Sequence, residues 1–200
     1  MIKNIFVAII TSGLLVGCAS ATLAGFHDPA YKGRQFKHIL VVTDNLGLQE
    51  ADYLQKRFCK TVNRFTKTKC STELSFYLPT RDYTPKERKA ILNQSGVDSI
   101  LLYSRNKDEK GIKGHSQISF NVAEVFGAGP SSMNITGPGF SNTRTAGFRV
   151  VLIDVANYKK AWVAGVTTSG SDGAASDENI LWTTTNRVYN ALKSANLILR

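Results

Sequence analysis

Three short apolar runs alternate with two amphipathic segments between residues 36 and 103, and this alternation constrains the fold more than any other feature of the chain. The runs Phe36–Thr43, Glu73–Leu78 and Val97–Tyr103 have the length and composition of strands, and the first and last suit buried ones. A helix between two strands returns the chain to the end of the sheet where it started. The succession therefore predicts right-handed crossovers into a parallel sheet.

Both intervening segments carry helix signals. The first has apolar residues at steps of three and four, with acidic residues early and basic residues late, as the helix dipole favours. These apolar residues are Leu48, Ala51, Leu54, Phe58 and Val62. Either Asp44 or Asn45 is the predicted N-cap of this helix. The second helix opens with the capping box Thr84-Pro85-Lys86-Glu87, runs to about Gln94 and stops near Gly96.

The second half of the chain predicts antiparallel additions to the sheet. Residues 117–122 alternate between polar and apolar side chains, as in a strand with one wet face. The runs Val150–Val155 and Ala161–Thr168 predict a hairpin that turns at residues 157–159, and Ser176 is the predicted N-cap of a closing amphipathic helix. The predicted fold class is α/β, a mixed five- to six-stranded sheet flanked by about three helices in the order βαβαβββα.

The first 18 residues have the anatomy of a bacterial export signal. Lys3 gives a positive start, and the apolar run Ile5–Val16 is well short of the roughly 20 residues that a membrane-crossing helix needs. The stretch Leu15-Val16-Gly17-Cys18 resembles the lipobox of bacterial lipoproteins, in which the cysteine is acylated and the signal is cut before it. The resemblance implies lipidation of Cys18 and, because Ala19 and not aspartate follows, an outer-membrane anchor facing the periplasm. An ordinary signal peptide that contains a cysteine is the alternative.

Residues 1–17 are thus a predicted signal peptide, and residues 36–200 are a predicted single domain. The chain has 200 residues, of which 42% are hydrophobic and 20% are charged, and this composition suits one globular domain. Between them, residues 18–35 are a predicted short tether, because Gly25, Pro29 and Gly33 interrupt any periodicity.

Lipidation of Cys18 leaves Cys59 and Cys70 as an even pair in an oxidising compartment. Their spacing fits neither a redox CxxC motif nor a zinc site with closely spaced ligand pairs. A disulfide is the predicted state, and two buried free thiols are the alternative.

The formal charge of +10, from 25 Lys and Arg against 15 Asp and Glu, favours anionic partners such as lipid headgroups, acidic polymers or acidic proteins. Basic residues crowd the first predicted helix. They include Lys56, Arg57, Lys60 and Arg64. A solvated helix face is one interpretation, and a contact for an anionic lipid or polymer is the other. The predicted compartment disfavours nucleic acid.

The stretch Gly127–Gly139 is a predicted long loop, rich in glycine and proline, between two predicted strands. Loops held on a rigid sheet often carry binding residues, and Met133, Ile135 and Phe140 offer apolar contact points here. A surface insertion without a role is the alternative.

The sequence shows no residue set for catalysis, for a metal or for a cofactor. His27, His38 and His115 are scattered without ligand spacing, and the chain has no Gly-x-Ser-x-Gly elbow. Trp162 and Trp182 are expected in the core or on the sheet face. We therefore expect a protein that is not an enzyme.

The order of these elements resembles the TolB amino-terminal-like fold, which also occurs in CsgG-like outer-membrane lipoproteins. The resemblance covers about residues 36–198, and its sharpest parts are Gly96–Leu101 and the hairpin Asp154–Trp162. It implies an envelope interaction or assembly module with a protein partner, and it carries no binding residue across. One alternative is a binder of an anionic lipid or envelope polymer through the basic helix face. Another is a hydrolase, for which the sequence offers no converging acid and base groups.

Overall fold

The computed structural model describes residues 19–106, 109–111 and 143–199, and their strands form one mixed sheet. The strands are β1 (Ser20–His27), β2 (His38–Asp44), β3 (Lys69–Thr72), β4 (Ser99–Arg105), β5 (Glu109–Gly111), β6 (Thr143–Asp154) and β7 (Lys160–Ser171). Six of them follow the order β1-β7-β6-β4-β2-β3, and the short β5 pairs with the start of β6. The helices are α1 (Leu48–Phe65), α2 (Pro85–Ser95) and α3 (Asp177–Ser194). The predicted α/β class, with a mixed sheet and three helices, is confirmed.

Helices α1 and α3 cover one face of the sheet, and α2 covers the other. Phe58 of α1 and Ile180 of α3 pack in the larger core, whereas Leu92 of α2 packs in a smaller one. Strand β2 contributes to both, because Ile39 faces the larger core and Leu40 the smaller. A strand buried on both faces has the near-continuous apolar sequence that made β2 recognisable.

The predicted tether is wrong over much of its length, because Ser20–His27 forms the edge strand β1. All eight residues pair with β7 in antiparallel register. Gly25 interrupts the sequence pattern, but it suits the strand, since a Cβ there would lie 3.2 Å from the Cβ of Ala164 and 3.3 Å from the indole of Trp162, which is a tight contact. Ala21 and Leu23 pack partly on the larger core. The strand signal was weak because its inward residues are small.

The strand predicted at Glu73–Leu78 is also wrong. The chain pairs with β2 at Lys69–Thr72 and then turns through a short 3-10 helix at Glu73–Ser75. The side-chain amide of Asn63 on α1 fixes the paired segment, because it accepts from the N–H of Cys70 and donates to its carbonyl. Phe76 and Tyr77 of the predicted strand pack in the smaller core with Leu92 of α2, whereas Leu78 is exposed.

Helix α1 has Gly47 as its N-cap, so the N-cap predicted at Asp44 or Asn45 is wrong. Asn45 has a φ of 59°, in the left-handed region that asparagine tolerates, and the chain turns there before the helix begins.

The other predicted elements that fall on described residues form, although β6 begins seven residues before the predicted Val150. Helix α2 has the capping box of Thr84 and Glu87 and ends at Gly96, whose φ is 69°. Ser176 caps α3 by accepting from a backbone N–H of its first turn. The hairpin of β6 and β7 also forms as predicted. The strand predicted at 117–122 and the loop predicted at 127–139 lie outside the described residues.

A disulfide joins Cys59 of α1 to Cys70 of β3, as predicted. Their Cα atoms lie 4.9 Å apart, within the range that a disulfide normally spans. The bond fastens the edge strand β3 to the helix that covers it.

The double variant Cys59→Ala/Cys70→Ala is expected to lower the free energy of unfolding by about 3 kcal/mol, because it removes a constraint on the unfolded chain. Urea denaturation of the oxidised protein measures the change. Reduced wild-type protein serves as a control with unchanged side-chain volume. Equal midpoints for oxidised and reduced wild-type protein would contradict a stabilising disulfide.

The strand directions give the sheet two distinct ends. Strands β1 and β6 run opposite to β2, β3, β4 and β7. One end, called the Ser20 end, holds Ser20, Asp44, Arg105, Thr143 and Ser171. The other, called the Lys160 end, holds His27, His38, Ser99, Asp154 and Lys160. Helices α1 and α3 both start at the Ser20 end and run toward the Lys160 end.

Candidate functional site

Helices α1 and α3 lie side by side on the sheet and leave a groove of about 550 Å³ between them. The groove lies near the Ser20 end, where both helices begin. Three of the four basic residues predicted as contacts on the first helix line it. They are Lys56, Arg57 and Lys60. Arg64 lies one turn further along α1 and outside the lining.

The lining cations are partly engaged by neighbours. The ammonium of Lys56 lies 2.8 Å from the carboxylate of Asp52, one helical turn earlier. Exposed pairs of this kind stabilise a helix by only about 0.3–0.5 kcal/mol, so Lys56 remains available to a ligand. The guanidinium of Arg57 lies over the indole of Trp182, 5.7 Å from the ring centroid. Lys60 is exposed to solvent.

Carboxylates line the same groove. They are Glu50, Asp52, Asp177 and Glu178. Two of them bind arginines of the sheet, because Arg105 lies 2.6 Å from Glu50 and Arg144 pairs with Asp177. Burial opposes ionisation of Asp177, but the charge of Arg144 and its hydrogen bonds outweigh burial and hold the pKa of Asp177 below its ordinary value. The groove is therefore a surface of mixed charge, not a basic face.

Trp182 lies beside the groove, against Arg57 of its lining, and its exposure was not predicted from the sequence. The expectation of a core or sheet-face position holds for the buried Trp162 and is wrong for Trp182, which is 41% exposed. The helix periodicity indicates that Trp182 is exposed, since position 182 lies about 200° around the helix from the buried Ile180. Tryptophan and arginine are the residue types that most often carry the binding energy of protein interfaces. Trp182 and Arg57 therefore mark the groove as a candidate docking site.

The other predicted site residues do not enter this groove. Cys18, Met133, Ile135 and Phe140 lie outside the described residues. Across residues 19–106, 109–111 and 143–199, no three His, Cys, Asp or Glu side chains are grouped so as to hold a metal ion. No helix of the described part is long and apolar enough to cross a membrane.

No family model matches the chain, and no curated protein matches it. Among solved structures, PelC from Paraburkholderia phytofirmans, a dodecamer, is similar with a TM-score of 0.48 at 13% identity over 88% of this chain and 98% of PelC. Lipoprotein GNA1162 from Neisseria meningitidis has a TM-score of 0.42 at 13% identity over 78% of this chain and 98% of its own. The hypothetical protein CT253 from Chlamydia trachomatis has a TM-score of 0.36 at 10% identity over 78% and 93%. Similarity at this level assigns neither a family nor a residue role to this chain.

Proposed function

We propose that this protein is anchored by lipid at Cys18 to the outer membrane, faces the periplasm and acts as a non-catalytic interaction module. The lipobox-like stretch that ends at Cys18 supports the anchor. Strand β1 begins at Ser20, so Ala19 alone separates the anchor from the sheet, and the two steps from Cys18 to Ser20 span about 7 Å of extended chain. The anchored domain therefore stands with its Ser20 end against the membrane.

The exposed Trp182 beside Arg57 carries the interaction part of the proposal. The cores of protein interfaces are rich in aromatic residues and arginine and poor in lysine. Tyr53 and Leu181 line the same groove and add apolar surface between the two helices. A segment of an envelope protein that covers Trp182 would bury this surface, and the mixed charges around it would fix the segment's orientation.

The alternative function, an anionic lipid or polymer held on the basic face of α1, fits the groove less well. A negatively charged ligand laid along α1 would meet Glu50 and Asp177 as well as Lys56 and Lys60. Like charges at such short range disfavour binding. The groove geometry therefore favours a partner that carries charges of both signs, as a protein segment does.

A photo-crosslinking amino acid at position 53 tests the groove in intact envelopes. We expect a crosslinked adduct of defined mass, and we expect Trp182→Ala to remove it, because losing an interface hot spot costs at least about 2 kcal/mol, or roughly 30-fold in affinity. Arg57→Ala should weaken the adduct in the same direction. Immunoblotting and mass spectrometry of the adduct give the readout.

Arg187→Ala is the matched control, since Arg187 is an exposed residue of α3 that does not line the groove. It should leave the adduct intact. An adduct that survives Trp182→Ala, or that forms equally from a crosslinker at position 187, would place the partner elsewhere.

A further inference from the structure

Positive charge is concentrated at the Lys160 end of the sheet. Nine exposed Lys and Arg side chains lie on four segments there: three within residues 32–37, three within 64–69, two at 159 and 160, and one at 193. Lys89 of α2 lies beside them. Three carboxylates lie near these segments, and each accepts a hydrogen bond or pairs with a cation. Asp28 accepts from a backbone N–H of the next turn, Asp98 accepts from two N–H groups at the start of β2, and Asp154 pairs with Arg34. Most of these cations therefore have no carboxylate opposite them among the described residues of this end.

Lysine dominates this surface, with seven of the nine cations. Lysine is depleted at protein interfaces, where a desolvated centre of aromatic residues and arginine is usual. A lysine ammonium is a compact, hydrated charge on a flexible stem, and it can follow acidic groups whose positions vary. The Lys160 end thus differs from the groove in the kind of partner that it suits.

The distance from the anchor excludes one source of negative charge. Strand β7 runs the full height of the sheet, and its 12 residues span about 40 Å at roughly 3.3 Å each. The Debye length at physiological ionic strength is about 8 Å, so headgroups of the membrane that holds Cys18 have almost no effect at the Lys160 end. An anionic lipid of that membrane is therefore a poor candidate for this surface.

A cleft of about 470 Å³ opens at this end. Arg34 and Lys89 lie on its walls together with Tyr158, which is 52% exposed. The ammonium of Lys89 lies 5.9 Å from the ring centroid of Tyr158. Asp98 and Asp154 also line the cleft, so its walls carry two cations and two carboxylates. The excess positive charge of this end therefore lies on the exposed lysines around the cleft.

We infer that the Lys160 end binds an extended acidic polymer, with repeated carboxylate or phosphate groups, in the space away from the membrane. The orientation of the Lys160 end away from the membrane rests on the proposed lipid anchor, and its positive charge rests on the described residues. Repeated charges match a broad lysine surface. Binding of this kind weakens steeply with salt.

Fluorescent polygalacturonate is the probe, and neutral dextran of similar size is its control. Residues 19–200 contain every described strand and helix and serve as the non-acylated protein. We expect polygalacturonate to bind and dextran not to bind. Lys69→Glu with Lys160→Glu should lower the affinity at least about tenfold, because both charges lie on the surface that meets the polymer. The same titration at two salt concentrations should show weaker binding at the higher one.

Two further double variants carry the same change in net charge. Lys86→Glu with Arg187→Glu alters exposed sites away from both surfaces and should lower the affinity less than about threefold. Equal losses in this variant and in the Lys160-end variant would overturn the inference in favour of overall charge. A larger loss in Lys56→Glu with Lys60→Glu would move the site to α1.

The acylated protein in phosphatidylcholine vesicles tests the orientation. Its affinity for polygalacturonate should stay within about twofold of that of the non-acylated protein, since the Lys160 end points away from the bilayer. Loss of binding on vesicles would overturn that orientation. If residues 19–200 bind phosphatidylglycerol vesicles, or a folded acidic protein of matched charge, more tightly than polygalacturonate, an acidic polymer is not the partner. Absence of acylation would contradict the proposed function and not polymer binding, because polymer binding is measured on the non-acylated protein.

Discussion

Replacing Cys18 with alanine is expected to abolish acylation and to remove the protein from the outer-membrane fraction. Each buried methylene of an acyl chain contributes about 0.8 kcal/mol, so one chain holds a protein marginally and two or more hold it stably. Without the thiol no chain can be attached at this position. Metabolic labelling with a palmitate analogue, followed by density-gradient separation of the membranes, measures both effects.

Cys59→Ser with Cys70→Ser is the matched control, because it removes the other two thiols of the chain and leaves Cys18 in place. The label and the outer-membrane position should persist in that variant. A Cys18→Ala protein that takes up as much label as wild type would show that the anchor is elsewhere.

The elements that could be predicted from sequence are those whose signals are local. The capping box of Thr84 and Glu87 lies within one helical turn, and the end of α2 at Gly96 is set by a single residue. Strand β2 is recognisable because burial on both faces leaves a continuous apolar run. In each case the residues that specify the element also lie inside it.

The elements that could not be predicted depend on distant residues. Strand β1 contains Gly25 because the indole of Trp162 occupies the neighbouring space, and Trp162 follows it by more than a hundred residues. Strand β3 pairs at Cys70 because Asn63 on α1 binds its backbone. No property of either segment alone contains this information.

The same limit applies to the candidate sites. The cations of α1 could be placed on one helix from the sequence. Asp177 joins the groove from α3, and Arg105 of β4 and Arg144 of β6 pair with its carboxylates Glu50 and Asp177. The positive Lys160 end is assembled from four separate segments that only the strand directions bring together. Net charge indicates an anionic partner, and the topology decides where it can bind.

The two surfaces lie at different heights above the proposed anchor. The groove lies near the Ser20 end and is lined by Arg57 and charges of both signs, with Trp182 beside it. The Lys160 end is rich in exposed lysine and lies about 40 Å from the Ser20 end, on the length of β7. A partner held in the groove and a polymer bound at the Lys160 end could therefore be engaged together without competing for the same residues.

Replacing Ser20–His27 with a Gly/Ser linker of equal length is expected to destabilise the domain by on the order of 5 kcal/mol. The replacement removes the packing of Ala21 and Leu23 on the larger core, and it uncovers Trp162 beneath the strand. Glycine in a strand also costs conformational entropy. A loss of this size is a large share of the 5–15 kcal/mol that stabilises an ordinary domain, so part of the protein should be unfolded at 37 °C.

Urea denaturation followed by tryptophan fluorescence measures this loss, since Trp162 lies against Gly25 of β1. Phe26→Ser is the matched control within the same strand, because Phe26 is 56% exposed and its replacement should change the free energy of unfolding by less than about 0.5 kcal/mol. A segment that served only as a tether would tolerate the linker, and an unchanged midpoint would show that the sheet does not need β1. In that case the domain would also be free to move away from the membrane, and the orientation that separates the groove from the Lys160 end would no longer follow from the anchor.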